Sequence, residues 1–371
     1  MNNATLYACR QQLGDFGRFV GTASVARDLD EIRRALGEEQ LTAYFVSYGT
    51  GIGQIYANMF PDKVGRIILD GPQYVKDHRL VGGWGWTSLD NVTDLWRHGF
   101  LGECVDAGPR NCALARPTNG HGGSVTLKEL EARINTLLES VLAQPVPGYT
   151  PLTGPSLVTY SELVLEIYVS LYNPLRWPTT AQMLFELETG NSTLAIAALE
   201  SRWENCLSLA SVPERHSSAE LPYLAICADA YDAPTPEGGL DWWDDLWANM
   251  TDQSWISGDS RFFNVFPCRH FTTYWSRPSE LYRGDLNHSL SNPVIIIAPT
   301  YDPATPLRNG RRLLEEMGQN ARLIVHHGYG HTSRYHRSNC TDSIGKAYIL
   351  KGIVPTKHEN HCHADGKPYF L

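Results

Sequence analysis

The sequence has no excess of basic residues. Lys and Arg total 31 against 40 Asp and Glu, giving a net charge of −9. A nucleic-acid partner would want a basic stripe, so none is expected. Nor is there an unbroken run of roughly 18 apolar residues, so no transmembrane helix is expected. The opening Met1-Asn2-Asn3 offers neither the basic nor the apolar segment of a signal peptide. There is no C-x2-C pair, internal repeat or low-complexity tract. What is present describes a folded, soluble chain: 42% hydrophobic and 19% charged residues. With 371 residues it can form one large domain or two modest ones.

Eight cysteines and N-x-S/T sequons at Asn3, Asn91, Asn191, Asn249, Asn287 and Asn339 suggest secretory descent. The front of the chain disagrees with them. Either a leading segment is missing or a secreted ancestor lost its export signal; localisation stays open.

Residues 24–37 read as an amphipathic helix, with Val25, Leu29, Ile32 and Leu36 at spacings of three and four and Gly37 as a stop. A short apolar run at 43–46 leads into Ser47-Tyr48-Gly49-Thr50-Gly51. Residues 53–60 look helical, and 64–69 (VGRIIL) read as a buried strand ending at Asp70-Gly71. This order is typical of a parallel α/β sheet. The rhythm is lost from about residue 73 to 290, a stretch rich in Trp, Tyr, Pro and Gly with helical pieces at 127–142 and 161–171. It is expected to be a large, mostly helical cap insertion. From Pro293 the rhythm resumes, with strands at 294–298 and 321–326 and helices at 309–317 and 343–350. The expected division is 1–72 as a partial core, 73–290 as the cap and 291–371 as the rest of the core.

Three residues carry candidate chemistry. Ser47 sits between an apolar strand and a glycine-rich helix start, the setting of a nucleophile elbow. The next residue, Tyr48, would aim its backbone N–H at a developing oxyanion. Asp302 follows the strand at 294–298, and His331 follows that at 321–326. Both therefore fall at carboxyl ends of strands, where such sheets place their catalytic groups. A serine hydroxyl attacks efficiently only when a histidine takes its proton and an acid orients that histidine. Each residue alone has an ordinary explanation; the order Ser…Asp…His, each after a strand, favours a triad.

The segments SYGTGIGQIYANMFPDKVGRIILDG, NPVIIIAPTYDPATPLRNGRRL and GYGHTSRYHRSNC resemble α/β-hydrolases related to prolyl and tripeptidyl aminopeptidases. The last two look like their TAP-like C-terminal region. The resemblance implies Ser47 as nucleophile, Asp302 as acid and His331 as base; no cofactor or metal is expected. It also implies a small-molecule or short-peptide substrate, with hydrolysis of a peptide, amide or ester. Two departures stand out. Phe45 occupies the first elbow position, usually glycine, and would crowd the turn. Family members have a long leading part with an oxyanion loop, whereas 46 residues precede Ser47 here. The expected fold is thus an α/β-hydrolase lacking leading strands, with a helical cap. Gly-His-Gly-Gly at 120–123 reads as a flexible turn. These departures support an alternative: a repurposed hydrolase fold of fungal secondary metabolism with a binding or non-hydrolytic role.

Cys340 and Cys362 flank the last helix, as a C-terminal disulfide does in the relatives, and Cys104 with Cys112 could close a short loop. Eight cysteines allow 105 pairings, so Cys9, Cys206, Cys227 and Cys268 stay unassigned. His358, His361, Cys362 and His363 cluster near the C-terminus and read as a solvated tail rather than a metal site. Asp70, Glu162, Glu166 and Asp229 are the candidates for binding a substrate amine, as carboxylates do in aminopeptidase relatives. Trp84, Trp86, Trp177, Trp242, Trp243 and Trp247 could line a pocket or fill the cap core.

Overall fold

A computed structural model of the chain describes residues 2–118, 124–151, 154–200 and 220–370. By contacts it divides into two compact units: residues 1–92 with 218–365, and residues 93–217 with 366–371.

The first unit is built on a parallel sheet. Its strands are β1 (Leu41–Val46), β2 (Val64–Asp70), β5 (Val294–Tyr301), β6 (Ala321–Tyr329) and β7 (Glu359–His363), in the spatial order β1-β2-β5-β6-β7. All neighbouring pairs run parallel. Side chains alternate across a strand, and the sequence supplies both faces with apolar groups. Ile67, Leu69, Ile296, Ala298, Leu323 and Val325 join one cluster with Ala23, Ile55 and Leu313. Ile68, Ile295, Ile297 and Ile324 join another with Tyr348 and Cys362. Each such buried aliphatic side chain contributes about 1.5–3 kcal/mol. That explains why the central strands are near-continuous Ile, Leu and Val. The helices are α1 (Asn2–Leu13), α2 (Thr22–Ala35), α3 (Tyr48–Met59), then Leu307–Met317 and Asn339–Lys351 among others.

The expected helices and strands at the two ends of the chain form, with boundaries moved by a few residues. The structure divides the expected 73–290 insertion differently. Residues 93–200 carry most of the described part of the second unit, while 73–92 and 220–290 belong to the first. The reason is apolar: Tyr74, Val75 and Leu286 belong to the sheet cluster, and Leu224, Phe271 and Trp275 pack with Leu6 and Val20.

In the second unit, helices Leu127–Ala143 and Tyr160–Leu171 each begin with a reciprocal capping box, Thr126 with Glu129 and Thr159 with Glu162. Between them β3 (Val146–Thr150) and β4 (Gly154–Val158) pair antiparallel. Trp96 stacks on Phe100, which meets Trp177 and Tyr369 edge-on. Trp177 therefore fills this unit's core. Trp243, by contrast, packs on Phe262 and Phe266 in the first unit.

Cys104–Cys112, Cys227–Cys268 and Cys340–Cys362 are disulfide-bonded. Cys9 has no disulfide among the described residues. Cys206 and the Gly-His-Gly-Gly segment at 120–123 lie outside the described residues. No helix among the described residues is long and apolar enough to cross a membrane.

Candidate active site

The carboxyl ends of β1, β2, β5 and β6 lie side by side because the strands are neighbours and parallel. Ser47 follows β1, Asp302 follows β5 and His331 lies just beyond β6. Ser47 has φ 55° and ψ −126°, a backbone state that a side chain disfavours. Such strain costs on the order of 1–3 kcal/mol and is kept where its surroundings enforce it. Here the Ser47 amide donates to the Asp70 carbonyl at 3.0 Å, and the Ser47 carbonyl accepts from the Thr50 amide at 2.9 Å. Helix α3 starts at Tyr48, so its free amide end follows the serine directly.

Phe45 does not abolish this elbow. Its ring lies against α3 at Gly53, where an added Cβ would come within 2.7 Å of the ring and 2.6 Å of Leu69. The room that glycine at position 45 would leave is supplied instead by Gly53 in α3.

Asp302 is buried, and its carboxylate is almost enclosed by donors. Oδ1 accepts from the amides of Ala304 and Thr305, both at 2.8 Å, and Oδ2 from that of Thr332 at 2.9 Å. His331 Nδ1 lies 2.9 and 3.0 Å from the two oxygens. Burial alone would raise the Asp302 pKa. The charge and hydrogen bond of His331, with the backbone amides, outweigh burial and hold it below the usual carboxylate range. An ionised carboxylate can only accept, so Nδ1 carries the imidazole proton. That leaves Nε2 of the neutral ring as the proton acceptor. Thr332, next to the histidine, also has a positive φ of 70°. Gly71, at φ 67°, permits the close approach of β2 to this loop: a Cβ there would meet Thr332 Cγ2 at 2.8 Å.

The four amine-binding candidates have separate places. Asp70 is fully buried at the end of β2. It accepts from the Ser333 amide at 3.0 Å, the Ser333 hydroxyl at 2.7 Å and the Tyr44 hydroxyl. It thus ties β1 to the loop that carries His331. Burial raises its pKa, partly opposed by those hydrogen bonds. Asp229 is buried in the first unit and accepts from the amide and the hydroxyl of Thr22. Glu162 and Glu166 belong to the second unit. Glu162 caps its own helix, and Glu166 pairs with Arg176 at 2.7 Å. Sequence reasoning missed Tyr44, Ser333 and Thr22, hydroxyl residues whose partners lie far along the chain. Thr22 starts a helix, Tyr44 lies within β1 and Ser333 lies in the loop after β6, so they share no local signal.

A cavity of about 130 Å³ in the first unit is lined by His78, Trp84, Tyr231, Trp243 and Phe271, among others. Among the described residues, no group of three or more His, Cys, Asp or Glu could hold a metal ion. In the C-terminal histidine cluster, His361 Nδ1 lies 2.9 Å from His327 Nε2, and Cys362 is in a disulfide.

Comparison with known proteins follows the same lines. Residues 10–92 match the family model described as alpha/beta hydrolase fold, and residues 260–362 the model described as TAP-like protein. The chain is 25% identical over 358 residues to serine protease Hip1 of Mycobacterium tuberculosis, covering 94% of this chain and 63% of that protein. It is 25% identical over 345 residues to a tripeptidyl aminopeptidase of Streptomyces lividans, covering 93% and 58%. To the putative hydrolase YuaR of Escherichia coli it is 23% identical over 362 residues, covering 94% and 64%. The chain thus spans less than two thirds of the length of these curated relatives. The parallel sheet, the strained turn after β1 and both matched regions agree: the chain has an α/β-hydrolase fold, and its C-terminal part matches the TAP-like model.

Proposed function

We propose that the chain is a serine hydrolase acting on a small peptide, amide or ester through an acyl-enzyme. The observation that carries this reading is the buried Asp302–His331 pair, with Nδ1 committed to the acid, on the same end of the sheet as the strained Ser47. Nε2 of His331 takes the Ser47 proton as Oγ attacks the substrate carbonyl. The Tyr48 amide, first of α3, donates to the oxyanion. His331 then returns the proton to the departing amine or alkoxide, and water repeats the sequence to free the acid. The named protease and aminopeptidase relatives favour a short peptide. Residues 93–217 are the central part of the cap insertion between β2 and β5.

The competing reading, a repurposed fold with a binding role, rests on two departures, Phe45 and the expected lack of leading strands with their oxyanion loop; only the first is addressed by the geometry. With its ring seated over Gly53, Phe45 no longer favours that reading. Three disulfides, and exposed asparagines at every sequon, support maturation in an oxidising secretory compartment.

The test is rapid mixing with p-nitrophenyl acetate. An acyl-enzyme gives a burst of p-nitrophenol close to one equivalent, absent from Ser47→Ala. Slow release without a burst, unchanged in Ser47→Ala, would sink the proposal.

A further inference from the structure

The Tyr48 amide is the proposed oxyanion donor, and the side chain of the same residue ends in a buried relay. The Tyr48 hydroxyl lies 2.7 Å from Thr22 Oγ1. Thr22 is the first residue of α2, and its amide donates to Asp229 Oδ1 at 2.9 Å. Its hydroxyl also contacts Asp229 Oδ2. Proton bookkeeping fixes the direction. An ionised carboxylate only accepts, so the single Thr22 hydroxyl proton goes to Asp229. The Thr22 oxygen must then accept, and Tyr48 is the donor. The relay runs Tyr48 to Thr22 to Asp229.

Its far end is well anchored. Asp229 closes helix Leu221–Asp229, whose Cys227 is bonded to Cys268. The Asp229 carbonyl accepts from Arg283 at 2.7 Å. His78 Nδ1 stands 3.8 Å from Oδ2, beyond hydrogen-bond range. The carboxylate faces the amide end of α2, where the N-cap residue, Gly21, has no side chain to cap it. A negative charge there is favoured by the helix dipole. So Asp229 caps α2 through the Thr22 backbone and also holds the Thr22 hydroxyl, which receives Tyr48.

We infer that Thr22 and Asp229 are positioning residues for the oxyanion site, fixing Tyr48 through its phenol and thereby the direction of its backbone amide. This rests on the reading of Ser47 as nucleophile. Asp229, a sequence candidate for binding a substrate amine, has both oxygens engaged within the protein. Its charge serves the oxyanion donor.

Two roles of Thr22 separate cleanly by substitution. Thr22→Val keeps the backbone cap on α2 but removes the hydroxyl that receives Tyr48. Tyr48→Phe cuts the same bond from the other side and removes one oxygen. Thr22→Ser keeps the bond. The measurement is the rate of covalent labelling by a fluorophosphonate, whose phosphoryl oxygen uses the same donor. Steady-state kcat and KM on p-nitrophenyl acetate accompany it, with unfolding midpoints for every variant. Misplacing a catalytic donor by about 1 Å costs up to roughly a hundredfold. Thr22→Val and Tyr48→Phe should each slow labelling roughly tenfold or more, through kcat rather than KM. Thr22→Ser should restore it. The double variant should be no slower than the slower single one, because both remove one shared bond.

If wild type labels at Ser47 while Tyr48→Phe, with an unchanged midpoint, labels equally fast, the inference falls and the serine-hydrolase reading stands. Independent, multiplying effects of the two substitutions also overturn it. A folded wild type that does not label overturns both.

Discussion

Asp302 in the first unit and Glu162 in the second are held in opposite ways. In the first unit the backbone closes around the acid: Asp302 collects amides from Ala304, Thr305 and Thr332, besides His331. In the second the acid closes off the backbone: Glu162 accepts from the Thr159 amide and hydroxyl at its own helix start. The first arrangement leaves a charged acid with one partner, an imidazole, able to change protonation during a reaction. The second satisfies a helix end and leaves nothing to react. Acids that look alike in the sequence thus differ by who donates to whom.

The largest effect that can break this contrast is on Asp302. Asp302→Asn should lower ester turnover by about 10³–10⁴-fold, the scale seen when a triad loses its orienting acid. Turnover within tenfold of wild type, on a folded protein, would remove Asp302 from the triad. Next come the disulfides. Cys340 and Cys362 are 22 residues apart, and losing that bond should cost about 3 kcal/mol in urea unfolding. Cys104 and Cys112, 8 apart in the second unit, should cost slightly less, about 2.5 kcal/mol. The reverse order would show that native packing, not loop closure, sets their worth.

A pH series sharpens the comparison within the first unit. The Asp302 pKa is depressed, so its stabilisation is present above the unfolded carboxylate value of about 3.9 and lost as pH falls through the folded value. The Asp70 pKa is raised by burial, so its contribution is present below the unfolded value and lost as pH rises through the folded one. Wild type should therefore lose stability relative to Asp70→Asn as pH rises from 4 toward neutrality. A flat difference between their unfolding free energies would show that Asp70 is ionised without penalty. The smallest effect belongs to the second unit. Thr159→Ala should cost about 1 kcal/mol through its cap and leave ester turnover unchanged.

Much of the fold was legible because periodicity and position coincide. The continuous apolar runs VIIIA and VGRIIL write two buried faces, and loops after parallel strands locate Asp302 and His331. Where local chemistry is neutral, the sequence was silent. The segment ENHCH carries no apolar alternation, yet forms β7 because it pairs with β6 and its cysteine is bonded to Cys340. Pro147, Gly148 and Pro155 argue against strands, but β3 and β4 form as an isolated pair. Ser333 and Thr22, partners of Asp70 and Asp229, stand 263 and 207 residues away from them, and no local pattern joins them. Phe45 misled for a related reason, since its room is made by Gly53 in the next element.

The central claim is that Ser47 is the nucleophile this sheet end was built to present. Its most direct measurement is the site of a covalent adduct. The full chain, treated with a fluorophosphonate and digested, should carry one phosphonyl group, on the peptide containing Ser47. The adduct should vanish in Ser47→Ala and form far more slowly in Asp302→Asn. An adduct on another residue, or none on a folded chain, would contradict the account.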